Sequence, residues 1–67
     1  MWKLSRLKVS GDHEWVQLTA ENDRELENAA RILRADIHQR GAGQPRHLDL
    51  DIHKAALALR YGAREEE

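Results

Sequence analysis

Residues 47–59, HLDLDIHKAALAL, decide the fold. Leu48, Leu50 and Ile52 alternate with His47, Asp49, Asp51 and His53, the period-two pattern of a strand packed by one face. Leu48, Ile52, Ala55, Ala56 and Leu59 also fall at i, i+4, i+7, i+8 and i+11, a helical stripe. Asp is a poor strand former, and the Ala-Ala-Leu-Ala-Leu run strongly prefers helix. The alternation is read as a strand over 47–52, with Asp51 capping a helix over 54–61 that Gly62 ends. The alternative makes the whole stretch helical, with Pro45 at its first position.

Upstream, Thr19 or Asn22 can serve as the N-cap of a helix, and Asn22 with Glu25 forms a capping-box-like pair. Leu26, Ala29, Ala30, Leu33 and Ile37 make one helical stripe, so a long helix is expected from Asn22 to Arg40. Gly41 is expected to end it, and residues 41–45 form the connector. Further upstream, Trp2 to Val9 and Glu14 to Thr19 read as the strands of a hairpin turning at Ser10–His13. Trp2 and Leu4 fall on one phase and Leu7 and Val9 on the other, which requires a bulge near Ser5-Arg6. Lys8 is expected opposite Trp15, with Leu7, Val9, Val16 and Leu18 on the inner face and Trp2, Leu4 and Trp15 on the outer.

The expected fold class is α+β: β-hairpin, long helix, short strand and C-terminal helix (ββαβα), with ββαα as alternative. Residues 1–62 form a single small domain, and 63–67 a flexible acidic tail. The 67 residues carry 11 Lys and Arg against 12 Asp and Glu, with no Cys. Disulfides and thiolate chemistry are thus excluded. No apolar run approaches a membrane span, so a soluble, cytoplasmic protein is expected.

Of 27 hydrophobic residues nine are alanine, leaving 18 large apolar side chains. A core this small gains margin from a partner, and a homodimer needs no special residue. No phosphate-cradling glycine loop or nucleophile elbow occurs, and a substrate pocket would consume much of the core. The expectation is a non-enzymatic protein-binding or regulatory homodimer, without cofactor, using an apolar surface of Trp2, Leu4, Trp15, Leu57 and Tyr61. One alternative is nucleic-acid binding through Lys3, Arg6 and Lys8, disfavoured by the near-zero net charge. Another is a divalent metal held by His47, Asp49, Asp51 and His53.

Overall fold

A computed structural model describes residues 1–39, 43 and 45–65. Its elements run β1 (Lys3–Leu4), β2 (Lys8–Ser10), β3 (His13–Thr19), α1 (Asp23–Leu33), β4 (Ile37–His38), β5 (His47–Leu50), α2 (Ile52–Arg60) and β6 (Arg64–Glu65). The order of hairpin, helix, strand and helix is the expected α+β arrangement. The sheet order is β4-β5-β3-β1-β6, and β2 pairs with β3 in line with β1. Both helices pack on one face of the sheet, α1 against β4 and β5 and α2 against β3 and β5.

The deciding stretch resolves as a strand followed by a capped helix. Leu48 and Leu50 point inward from β5, and the Asp51 carboxylate accepts the Lys54 N–H at 2.8 Å to open α2. Asn22 does the same for α1, accepting the Glu25 N–H at 2.8 Å. Leu4, Leu18, Leu48 and Leu50 form the fully buried floor of the core. Leu26, Ala29 and Leu33 of α1 and Ala55 and Ala58 of α2 cover it. Alanine on the facing helix stripes lets both helices sit close to the leucine layer.

The hairpin turns on Gly11-Asp12 alone, a two-residue loop rather than the expected four. Ser10 pairs with His13, and Gly11 has φ +60 while Asp12 stays negative, the pattern of a type II′ turn. The expected register holds, Lys8 opposite Trp15. Beyond it Leu4 pairs with Leu18, and Ser5 N–H donates to the Gln17 carbonyl at 2.8 Å. Arg6 and Leu7 thus oppose Val16 alone, the expected bulge. The Ser5 hydroxyl repairs the ladder there, accepting the Gln17 N–H at 3.0 Å.

That extra residue corrects the face assignment. It turns Leu4 inward against Leu18, where it is 2% exposed, and Trp2 shares its phase. Leu7 and Val9 do lie on the helix-bearing side, yet no helix covers β2, and they are 52% and 61% exposed.

Helix α1 ends at Leu33, seven residues before the expected Arg40, which with Gly41 lies outside the described residues. Arg34 adopts a left-handed conformation (φ 53, ψ 49), and Ala35 N–H reaches back to the Ala30 carbonyl at 3.0 Å. Lys54 Nζ donates to the Arg34 carbonyl at 2.8 Å, fixing this turn against α2. Ile37 then pairs with Leu48 in β4 instead of extending the stripe. Of the expected tail 63–67, residues 63–65 are built into the fold, and 66–67 lie outside the described residues. Ala63 is buried, and Arg64 and Glu65 pair in parallel with Lys3 and Leu4.

Ser5→Ala removes the hydroxyl that accepts the part-buried Gln17 N–H, so a loss of about 1–2 kcal/mol is expected in urea unfolding. Arg34→Gly relieves the left-handed backbone and is expected to gain about 0.5–1 kcal/mol in the same assay.

Candidate functional site

The surface expected to bind a partner does not form as one patch. Leu4 is in the core. Trp2 lies half-buried on the helix side, its ring 6.1 Å from that of Tyr61. Trp15 lies on the opposite, outer face of the sheet, stacked on His13 at 5.3 Å with the planes 20° apart. Leu57 and Tyr61 are exposed one helical turn apart at the end of α2, so Trp2 and Tyr61 are brought together with Leu57 beside them, away from Trp15. The bulge is the physical reason: by reversing the phase of residues 2–4 it separates Trp2 and Leu4 from Trp15.

Two other surfaces emerge. The first is the outer sheet face, which neither helix covers. Strand alternation places His13, Trp15, Gln17 and Thr19 of β3 there. Cross-strand pairing adds Lys8 opposite Trp15, Asp49 opposite Gln17, Lys3 opposite Thr19, Arg64 opposite Lys3, and His38 opposite His47. Among the described residues these pairings bring three cations and one carboxylate together in a chain whose net charge is −1. Arg6, the third basic residue expected to share this surface, is exposed in the bulge and lines a cavity on the other side.

His47 is 6% exposed, and its Nε2 lies 3.4 Å from Asp49 Oδ1. The pair is within ion-pair reach without meeting hydrogen-bond geometry. Both atoms, with Trp15 Nε1, are buried and lack a hydrogen-bond partner among the described residues. The His38 ring stacks on His47 at 6.1 Å. The expected four-residue metal set is divided. His47 and Asp49 stay together, Asp51 is engaged as the cap of α2, and His53 is exposed on that helix. Among the described residues no group of three or more metal-ligating side chains converges.

The second surface is the β2 edge with an open cavity of about 260 Å³ beside it. Leu4, Leu7, Val16, Ala55 and Leu59 form its apolar wall, and Ser5, Arg6 and Glu65 its polar rim. Ile52, Ala55 and Leu59 share one stripe of α2, so the exposed Ile52 continues the stripe from which Leu59 reaches the opening beside Leu7. Sequence periodicity marked Leu7 and Val9 as apolar and inward; it carried no sign that the helices stop short of them.

The Met1 amine pairs with Glu25 and, at 3.7 Å, with Glu21. The Glu25 hydrogen bond is the main cause holding its pKa above the ordinary value. No helix among the described residues is long and apolar enough to cross a membrane.

With two donors together instead of three or four, added Zn²⁺ or a chelator is expected to leave the melting temperature unchanged. A rise of several degrees with Zn²⁺ in differential scanning fluorimetry would contradict this division of the set. Comparison with protein-family models, with curated proteins and with solved structures finds no match to this chain.

Proposed function

We propose that this is a small, non-enzymatic, cytoplasmic binding or regulatory protein that works as a homodimer. The observation that carries the reading is the open β2 edge lying beside uncovered apolar side chains. Among the described residues β2 pairs with β3 alone. In a two-residue hairpin the residues flanking the loop exchange hydrogen bonds, so Ser10 and Lys8 bond to β3. By the same parity Val9 directs its N–H and C=O away from β3.

A second copy satisfies those groups by symmetry. Antiparallel pairing about a two-fold axis at Val9 lets each Val9 exchange both bonds with its mate. It sets Lys8 opposite the partner's Ser10, so no like charges meet, and brings the exposed Arg6 beside the partner's exposed Asp12. Leu7 and Val9 from both copies then fill the trough between the two α2 helices, against Leu59 and Ile52.

Magnitude sets the expected strength. Eight half-exposed apolar side chains contribute about 1 kcal/mol each, and association costs at least about 4 kcal/mol. The remainder, with two backbone hydrogen bonds, places the dissociation constant at about 10–500 µM.

Sedimentation equilibrium from about 10 µM to about 1 mM is expected to show a monomer–dimer equilibrium. Val9→Pro removes the outward N–H without touching the hairpin's own bonds, and is expected to give a monomer with an unchanged circular dichroism spectrum. Arg6→Asp should weaken the dimer about three- to tenfold, and adding Asp12→Arg should restore it. A wild-type monomer across the whole range, or a dimer that tolerates Val9→Pro, overturns the reading.

A further inference from the structure

The outer sheet face is left unused by the proposed dimer, and its chemistry is distinct from the apolar edge. We propose that this face binds single-stranded nucleic acid. Three observations converge on it. The face is a sheet surface that no helix covers, with the stacked pair of Trp15 and exposed His13 near one end. Base–aromatic stacking needs such a platform, and it tolerates any sequence because every base has a π-face. Cations flank the platform: Lys8 directly across from Trp15, then Lys3 and Arg64 side by side at the level of Thr19. Four residues of β3 separate the two cationic positions, about 13 Å, so the lane follows a backbone past the stack.

The third observation concerns charge. Asp49 is the single carboxylate brought onto this face by the strand pairings, and it lies 3.4 Å from His47. The acids of the first turn of α1, Asp23 and Glu25, belong to the other layer. Among the described residues the strand pairings therefore bring three cations and one anion to this face, in a chain of net charge −1. Such a local field attracts phosphate without a strongly basic composition.

A single strand is favoured over a duplex because stacking requires exposed base faces, which a duplex buries within itself. Polar side chains between the rings and the cations, Gln17 and Thr19, offer hydrogen bonds without selecting a base. The residues differ from those the sequence suggests, Lys3, Arg6 and Lys8 with Trp2 and Trp15. Trp2 and Arg6 fall away from the face, and His13 and Arg64 join it.

The face does not depend on self-association, so the two readings are tested separately. Pairing through β2 would set two outer faces side by side and raise affinity for longer strands by avidity, whereas a Val9→Pro monomer keeps one complete face.

The test uses Trp2→Phe, which leaves Trp15 as the only tryptophan reporter. An oligothymidylate of about 12 nucleotides is titrated at about 50 mM salt. Saturable quenching of Trp15 emission is expected. Lys8→Ala and Arg64→Ala, both at exposed or partly exposed strand positions, should each weaken binding about three- to tenfold. His13→Ala should weaken it about five- to fiftyfold by removing half of the platform. For three phosphate contacts, raising salt from about 50 to about 200 mM should reduce affinity about fifteen- to twentyfold.

Four outcomes would overturn the proposal: no binding at the low salt; binding that leaves Trp15 emission unchanged; a duplex of equal length bound as tightly; or heparin bound as tightly with the same quenching. A face that takes an acidic polypeptide instead would reveal itself by binding polyglutamate more tightly than the oligonucleotide.

Discussion

The register of β3 is the constraint on which the rest of the molecule depends. β3 pairs with β5 on one side and with β1 and β2 on the other. Its alternation therefore decides which side of the sheet each neighbour presents. Val16 and Leu18 face the helices, and their partners Leu50, Leu48 and Leu4 follow them inward to make the leucine floor. Trp15 and Gln17 face away, and Lys8 and Asp49 follow them outward. A slip of one residue would exchange the two sets and leave the core polar. The helices add the lid but have no part in that sorting.

The bulge at Arg6-Leu7 modifies this rule at one place, with effects in two directions. It brings Leu4 into the core, which with so few large apolar side chains is a substantial gain. It also leaves Leu7 at the mouth of the cavity and carries β2 beyond the helical cover. The same extra residue therefore completes the interior and creates the uncovered apolar edge. The Ser5 hydroxyl makes it tolerable, because the Gln17 N–H keeps an acceptor where the ladder breaks.

What the sequence made legible follows the range of the interactions involved. Local signals were read well: the Asn22 and Asp51 caps, the strand-then-helix division of residues 47–59, the hairpin register and the need for a bulge. Decisions made by distant partners were not. No glycine marks the end of α1 at Leu33; it is set by a left-handed Arg34 whose carbonyl is held by Lys54, twenty residues on. Ile37 continues the helical stripe in sequence, and the free edge beside Leu48 draws it into a strand. Arg64 and Glu65 resemble a charged tail until β1 is seen to offer them an edge. The surface residues fared likewise. Trp2, Leu4 and Trp15 form a patch only if strand phase is carried unbroken through the bulge, and Arg64 joins Lys3 only through a pairing no local pattern announces.

The parallel pairing of β1 with β6 has a consequence for the order in which the fold assembles. Lys3 and Arg64 are neighbours in space and 61 positions apart in the chain. Everything else in the sheet involves shorter separations: the hairpin closes over a two-residue turn, and β5 joins β3 across about thirty residues. During synthesis the hairpin, α1 and β5 can associate while the outer edge of β1 is still bare, and Arg64 and Glu65 arrive last. Contacts of such long separation slow the final step of folding relative to a helical chain of equal size. Until it is taken, the nascent sheet exposes two unprotected edges on the same side, one beside Leu4 and one beside Val9. Among the described residues only the first is closed, by Arg64 and Glu65.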